Sequence, residues 1–277
     1  MRLGGNVTPV EQGPEAWTAA VRAKGYRAAY CPLPPGTLST IVTTYRAAAS
    51  DADIVIAEVG VWKNPLSPDP AEASAAFAKC VGGLALADEI GARCCVNLAG
   101  SRGEFWAGHH PDNLSDETFD LIVEITQKII DEVEPRHTVY ALEAMPWMFP
   151  QSVASYQRLV EEIDRPRFGV HFDPVNMVNC PMRYYGNADL IRDFVAAFGN
   201  AIRSVHVKDV IMHQKLTMHI DEVCPGTGML ALDVLLTELA NLDPDLPVML
   251  EHLPTEAEYD AAASYLREVA AAAGLML

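Results

Sequence analysis

The feature that most constrains this chain is an alternation of short apolar segments with longer amphipathic segments, repeated eight times along 277 residues. The short segments have the length and composition of buried strands, whereas the longer ones have the spacing of one-sided helices. We predict strands at 2–7, 27–31, 53–59, 93–100, 138–144, 168–173, 202–209 and 247–252, and helices at 14–25, 37–49, 69–91, 114–135, 152–163, 187–199, 230–242 and 255–274.

Eight strand–helix repeats with no break in composition predict an α/β fold, a single (β/α)8 or TIM barrel over residues 1–277. The chain length agrees with the roughly 250 residues that such a barrel usually takes. A doubly wound open sheet is the alternative. It would usually have fewer strands, and for a dinucleotide it needs a glycine-rich GxGxxG turn, which the GGNV segment near the N-terminus lacks.

Charge and composition exclude several classes of partner. The formal net charge of −17 and the lack of any Lys/Arg-rich run argue against nucleic acid. The apolar runs are shorter than the ~20 residues of a membrane span, and the N-terminus has no long apolar signal region. The six cysteines have no CxxC spacing and are typical of small core residues in a reducing compartment. We therefore expect a cytoplasmic protein without a membrane partner.

The last four predicted strands each carry an ionisable side chain near their C-terminal end. These are Glu143 in YALEAMP, Asp173 in VHFDPVN, His206 in SVHVKD and Glu251 in VMLEHLP. Taken alone, Asp173 is typical of a residue that caps the following turn. Because the C-terminal ends of barrel strands meet at one mouth, four such residues on consecutive strands predict a shared site.

Three carboxylates buried together would repel one another and raise one another's pKa unless a cation held them. A divalent ion meets this requirement. The expected donor set of three carboxylates and one imidazole is rich in oxygen, which favours Mn²⁺, Mg²⁺ or Co²⁺ over the Cys/His sets of structural zinc. We expect Mn²⁺, with Mg²⁺ or Co²⁺ as alternatives.

From about residue 50 to its end, the chain resembles the xylose-isomerase-like barrels. The closest likeness is to the sugar isomerase/epimerase branch, which includes ketose 3-epimerases and inosose dehydratases. Besides the four strand ends, the segments HVKD (206–209) and PGTG (225–228) look like the family's H-x-K-D and P-G-x-G signatures. The resemblance implies that Glu143, Asp173, His206 and Glu251 are metal ligands.

The resemblance also implies a mechanism and an assembly. Glu143 and Glu251 would remove and return a proton on opposite faces of a small keto-sugar through an enediolate, and the protein would be a homo-oligomer, either a dimer or a tetramer. One position departs from the family: many members have a His three residues after the Asp of the sixth strand, where this chain has Asn176. We expect Asn176 to hydrogen-bond a substrate hydroxyl, although it cannot act as an acid at neutral pH.

Other residues near the expected mouth have two interpretations each. Lys208 could stabilise a developing oxyanion, or form a structural ion pair with Asp209 or a neighbouring strand end. Glu58 at the end of the third strand could bind substrate or cap a turn. Arg102 and Trp106 lie in a long loop after the fourth strand. Because long loops tend to be functional, we expect both residues to bind substrate, with the aromatic ring packed on a sugar face.

Two further histidines are predicted to lie outside the ligand set. We expect His171 to be a hydrogen-bonded interior residue. His252 directly follows Glu251, and strand alternation predicts that its side chain points the other way.

The favoured function is a divalent-metal-dependent sugar isomerase or epimerase acting on a ketose or keto-polyol. A lyase on the same scaffold is the alternative, either an inosose-type dehydratase or an enzyme that cleaves 3-keto-glycosides, because both begin with the same proton abstraction. A DNA-repair nuclease would need a basic DNA-facing surface, against which the net charge of −17 argues. A sugar-binding barrel without catalysis is the non-enzymatic alternative.

Overall fold

The computed structural model of the protein describes residues 1–7 and 12–277. Strands and helices alternate through these residues as the sequence predicts. The strands are β1 (Arg2–Gly4), β2 (Ala28–Ala29), β3 (Val55–Ile56), β4 (Glu58–Gly60), β5 (Cys94–Asn97), β6 (Tyr140–Leu142), β7 (Phe168–Phe172), β8 (Ile202–Val207), β9 (Asp209–His213), β10 (His219–Val223) and β11 (Pro247–Leu250).

Nine of these strands form one parallel sheet in the order β3-β2-β1-β11-β8-β7-β6-β5-β4. The two edge strands, β3 and β4, are separated in the chain only by Ala57. Ala57 closes the sheet, because its N–H donates to Ala29 O at 2.8 Å and its carbonyl accepts from Cys94 N at 3.3 Å. If β3 and β4 are counted as two halves of one strand, the barrel has eight strands, which confirms the predicted (β/α)8 fold.

Within residues 1–7 and 12–277, eight longer α-helices and two short ones accompany the strands. They are α1 (Pro14–Ala23), α2 (Ser39–Asp51), α3 (Pro70–Ile90), α4 (Asp116–Val133), α5 (Val153–Ile163), α6 (Pro174–Met177), α7 (Pro181–Tyr185), α8 (Asn187–Phe198), α9 (Leu232–Ala240) and α10 (Glu256–Ala272). Among the described residues, none of these helices is both long and apolar enough to cross a bilayer.

Helix α4 illustrates how the sequence sets the outer layer. Ser115 caps its start by accepting a hydrogen bond from Thr118 N at 3.2 Å. Phe119, Ile122 and Ile129 recur at helical spacing and are buried. This apolar stripe packs the helix onto the barrel and leaves its charged face in solvent.

The alternation of side chains along β6 positions the mouth of the barrel. Tyr140 and Leu142 belong to the main core, which lies between the sheet and the helices. Val139 and Ala141 form a separate small cluster with Cys94 and Val96 inside the barrel. Glu143 follows with the same alternation, so its side chain projects inward at the C-terminal end of the strand.

The segment after β8 differs from the prediction, which treats it as a long connection. Strands β9 and β10 pair as an antiparallel hairpin, from Asp209 opposite Val223 to His213 opposite His219. The short helices α6 and α7 also lie in a region where we predict no element. Segments of four and five residues are too short to show a helical period.

Candidate metal centre and cavity

The four predicted strand-end residues meet at one end of the barrel. Each of Glu143, Asp173, His206 and Glu251 offers one ligand atom, and these atoms all lie within 4.8 Å of one another. His206 Nδ1 lies 3.1 Å from Glu251 Oε2, 3.3 Å from Glu143 Oε1 and 4.0 Å from Asp173 Oδ2. The convergence follows from the sheet order, because β6, β7, β8 and β11 are consecutive neighbours in the barrel.

The carboxylates of the site differ in the direction of their pKa shifts. Burial, to which the charges of Glu251 and Asp173 add, raises the pKa of Glu143 to about 8, against the attraction of His206. The pKa of Glu251 is held below its usual range, because His206 and Lys208 outweigh the effect of burial. A divalent ion bound here in addition to the positively charged His206 would offset the repulsion that Glu143 experiences from Glu251 and Asp173.

The donor set fits a divalent ion. Asp173 Oδ2 is fully buried and makes no hydrogen bond of acceptable geometry, although Lys208 Nζ lies 2.6 Å away. The ammonium group of Lys208 balances the charge of this buried carboxylate, and a divalent ion that takes Oδ2 as a ligand would share it with Lys208 or displace it. Three carboxylates and one imidazole form the hard donor set that Mg²⁺ and Mn²⁺ accept.

Lys208 lies among these carboxylates rather than beside Asp209. Its Nζ is 2.6 Å from Asp173 Oδ2, 2.8 Å from Glu251 Oε2 and 3.3 Å from Glu222 Oε2. Although burial opposes ionisation, Asp173 and Glu251 hold the pKa of Lys208 well above its usual value. The lysine is therefore a fixed cation at the floor of the mouth, paired with neighbouring strand ends.

Asn176 takes the place where the resembled family has a histidine. It lies in α6, directly after the strand end that carries Asp173, and its backbone N–H donates to Asp173 Oδ1 at 3.0 Å. Its side-chain Nδ2 donates to Glu143 Oε1 at 2.9 Å. The amide therefore holds one of the predicted ligands in place.

A cavity of about 760 Å³ opens directly above the predicted ligands. Four aromatic side chains line it, namely Tyr30, Trp62, Trp106 and Tyr259, and so do Glu58, Glu143, Asn176 and Glu251 among the predicted site residues. Among the described residues that line it there is no Lys or Arg. Arg102 lies outside this lining and its guanidinium donates to Leu66 O at 3.2 Å, so its role in substrate binding stays a prediction.

Glu222 and His252 are among the residues of this cavity that sequence reasoning missed. His252 lines the same cavity as Glu251, and the expectation that it points the other way is wrong. Its φ of 57° breaks the alternation of the strand just after β11 ends. Its Nδ1 lies 3.0 Å from Glu222 Oε1, which belongs to the unpredicted strand β10.

A second polar layer lies beneath the four ligands. Glu58 Oε1 is 3.0 Å from His206 Nε2, and Glu58 Oε2 accepts from Ser204 Oγ at 2.8 Å. His171 is an interior residue as predicted, but neither of its ring nitrogens makes the predicted hydrogen bond. Burial is the main cause that lowers the pKa of His171, to about 4, so its ring is neutral.

Comparisons with solved structures place this fold among known proteins. The D-psicose 3-epimerase of Clostridium cellulolyticum H10, solved with D-tagatose, is 16% identical with a TM-score of 0.68, covering 97% of this chain and 99% of that one. The 3-keto-D-glucoside 4-epimerase of E. coli is 15% identical with a TM-score of 0.65 and coverages of 97% and 99%. A xylose isomerase-like TIM barrel protein from Mycobacterium smegmatis, solved with magnesium, is 15% identical with a TM-score of 0.67 and coverages of 97% and 96%.

At these identities the solved structures establish the fold alone. No curated protein matches the chain in a sequence comparison. The family model of the xylose isomerase-like TIM barrels matches residues 18–269, so it extends well before residue 50, where the resemblance read from the sequence begins. The chain therefore belongs to the xylose isomerase-like TIM barrel family.

Proposed function

We propose that the protein is a divalent-metal-dependent sugar isomerase or epimerase that acts on a ketose or keto-polyol. The observation that carries the proposal is the convergence of Glu143, Asp173, His206 and Glu251 within 4.8 Å beneath an open cavity. Each of these side chains comes from a different neighbouring strand end, which is where catalytic groups of this fold lie.

The proposed reaction removes and returns a proton on the carbon beside a substrate carbonyl. A divalent ion held by the four residues would act as a Lewis acid that makes this proton more acidic. Glu143 and Glu251 are the proposed proton carriers. They approach His206 Nδ1 from different strands, at 3.3 and 3.1 Å, so the two carboxylates can address different faces of one substrate.

The remaining groups of the cavity have proposed roles in binding. Lys208, which lies below the cavity lining and contacts Glu251 at 2.8 Å, supplies a fixed positive charge near the carbons where negative charge develops. Trp106 is 40% exposed and offers an aromatic face on which a sugar ring can pack. Asn176 keeps Glu143 oriented and can also donate to a substrate hydroxyl.

The charge of the cavity favours an uncharged sugar. Its lining includes Glu58, Glu143, Glu222 and Glu251, and among the described residues it includes neither Lys nor Arg. A phosphorylated sugar would meet these carboxylates without a guanidinium or ammonium group at the rim to bind its phosphate. Residence in the cytoplasm and assembly into a dimer or tetramer stay predictions.

A lyase acting on a 3-keto-glycoside or an inosose is the second candidate. The volume of about 760 Å³ lies toward the upper part of the range of small-molecule sites, roughly 300–1,000 Å³, and leaves room for a sugar with a substituent. Asn176, where relatives have histidine, leaves one fewer proton donor beside the substrate. Both features are compatible with elimination after the shared proton abstraction.

The test is proton NMR in D₂O. The protein is first reconstituted with Mn²⁺, which is then exchanged for Mg²⁺ before the spectra are recorded, because paramagnetic Mn²⁺ broadens the signals. The panel contains free ketoses, 3-keto-glycosides, inososes and the matching sugar phosphates. Deuterium at one carbon together with an epimer or aldose supports the proposal. Deuterium with loss of water or an aglycone supports the lyase, and no exchange with any substrate contradicts both.

A further inference from the structure

The proposed metal ligand His206 uses both of its ring nitrogens. Nδ1 faces the carboxylates of Glu143 and Glu251 at 3.3 and 3.1 Å. Nε2 faces the opposite way, toward Glu58 Oε1 at 3.0 Å. Both His206 and Glu58 are buried, with side-chain exposures of 0%.

Each oxygen of Glu58 has a partner inside the barrel. Oε1 meets His206 Nε2, and Oε2 accepts from the hydroxyl of Ser204 at 2.8 Å. Ser204 and His206 lie two residues apart on β8, so they present their side chains on the same inward face. The carboxylate of Glu58 bridges these two side chains and is thereby fixed in one orientation.

The chemistry of imidazole gives this contact a consequence. A neutral imidazole carries its proton on one nitrogen and a lone pair on the other, and only the lone pair can bind a metal ion. A carboxylate beside Nε2 accepts a hydrogen bond from Nε2–H and so stabilises the tautomer whose lone pair is on Nδ1. Nδ1 is the nitrogen that faces the other three ligands.

We propose that Glu58 is a positioning residue for the metal centre, which fixes the Nε2–H tautomer and the ring orientation of His206 so that Nδ1 is the donor. The inference rests on the proposed metal-dependent function, because it presupposes that the four strand-end residues bind an ion. It replaces the predicted role of Glu58 in direct substrate binding. Although Glu58 reaches the cavity floor, both of its oxygens are already engaged by protein groups.

A competing arrangement uses the same residues. One ligand atom from each of Glu58, His171 and His206 lies within 4.8 Å of the others, so these three side chains could hold a second ion. That arrangement would require His206 to bind ions through both nitrogens, which means losing its ring proton. All three side chains have exposures of 0%, so little room is left between them for an ion and its water ligands.

The test compares two variants of nearly equal size. Glu58→Gln keeps an oxygen that accepts from Nε2–H, and its amide group can donate to Ser204, whose hydroxyl can accept instead. Glu58→Leu keeps the volume but removes the acceptor. The exposed Glu256→Gln, whose carboxylate pairs with Lys24, is the control for loss of one carboxylate. Calorimetric titration with Mn²⁺ measures affinity and stoichiometry, and circular dichroism checks the fold of each variant.

We expect wild type to bind one Mn²⁺ per chain. Glu58→Leu should weaken binding by roughly 10- to 100-fold, which is the usual cost of losing such a partner, while Glu58→Gln and Glu256→Gln stay within a few-fold of wild type. Equal affinity in Glu58→Leu and wild type would overturn the inference alone. Two Mn²⁺ per chain would also overturn it, in favour of Glu58 as a ligand. No Mn²⁺ binding by wild type would overturn the proposed function itself.

A second measurement needs no substitution at Glu58 and remains valid if Glu58→Leu fails to fold. The ¹⁵N shifts of His206 in the Zn²⁺-loaded wild-type protein, assigned by their absence from His206→Asn, report which nitrogen carries the proton. The proposal predicts a protonated Nε2 and a Nδ1 without a proton. A proton on Nδ1, or on neither nitrogen, would overturn it.

Discussion

At the scale of single residues, the proposed centre depends on the direction in which a few side chains leave their strands. Glu143, Asp173 and His206 project inward because they continue the alternation of buried strands. Because these groups are buried, the charge of each depends on its neighbours. We expect substitutions among them to weaken ion binding more than they destabilise the fold.

Asp173→Asn tests the ligand set. We expect it to weaken Mn²⁺ binding by at least about 10-fold, because an amide lacks the negative charge that a hard cation requires. The fold should persist, since the side-chain acceptor for Asn176 N remains in the variant. Calorimetric titration is the measurement, with the half-exposed Asp221→Asn on β10 as control. A variant that binds Mn²⁺ as tightly as wild type would exclude Asp173 as a ligand.

Glu251→Gln tests the proposed proton carrier. The amide cannot take up a proton, so exchange of the substrate C–H with solvent deuterium should fall by roughly 10²- to 10⁴-fold, the usual contribution of a general base. The far-ultraviolet circular dichroism should stay unchanged. The exposed Glu256→Gln is the control for loss of one carboxylate. Undiminished exchange in the Mn²⁺-saturated variant would remove Glu251 from the proposed mechanism.

The four proposed ligands could be predicted from the sequence because strand ends of a barrel are spatially ordered in the same way as they are along the chain. His252 could not, because its φ of 57° is a local backbone choice that alternation does not encode. The partner of Glu58 could not be predicted either. Its contact with His206 joins residues 148 positions apart and depends on which side chains share the barrel interior.

At the scale of elements, one carboxylate ties the start of the hairpin β9–β10 to the segment that follows the hairpin. Asp209 Oδ1 accepts from Val210 N and Leu230 N at 2.8 Å, and Oδ2 accepts from Gly226 N and Gly228 N at 3.0 Å. The HVKD and PGTG segments are thus two halves of one hydrogen-bonded unit. Gly228 is required there, because a Cβ would lie 2.4 Å from Asp209 Oδ1.

Asp209→Asn tests this anchor. The amide keeps one acceptor oxygen but turns an NH₂ group toward two buried N–H donors, which should cost about 3 kcal/mol. For a chain of this size the expected fall in Tm is roughly 6–12 °C by calorimetry. Asp221→Asn, on the same hairpin but paired only with the half-exposed His213, should change Tm much less. An unchanged Tm in Asp209→Asn would show that the unit does not contribute to stability.

The eight long helices and the barrel strands could be predicted because their apolar residues recur with the period of a helix or a strand and face the core. The hairpin could not, because β10 is mostly exposed and carries no buried alternation. Its position beside β9 depends on the hydrogen bonds that Asp209 accepts from the glycines after β10. These are contacts between separate segments, and no repeating pattern within one segment reveals them. Glu222 lies on β10 and lines the cavity, so its place there could not be predicted without the hairpin.

At the scale of the whole molecule, the closed barrel forces like charges together at one end, and an ion that binds there should stabilise the entire fold. At a free Mn²⁺ concentration of 100 times its Kd, the expected gain is about 2.7 kcal/mol. Tm should therefore rise by roughly 5–10 °C on adding Mn²⁺ to protein stripped with a chelator. With binding weakened at least about 10-fold, Asp173→Asn should lose about half of this rise or more, and a wild-type Tm that is insensitive to Mn²⁺ would contradict a bound ion.

The central claim is that four neighbouring strand ends assemble one site for a divalent ion. Diffraction from crystals grown with Mn²⁺, recorded at the manganese absorption edge, tests it most directly. The account predicts one anomalous peak per chain, with ligand atoms from Glu143, Asp173, His206 through Nδ1, and Glu251. A map without that peak, or with manganese held elsewhere while Lys208 still bridges Asp173 and Glu251, would contradict it.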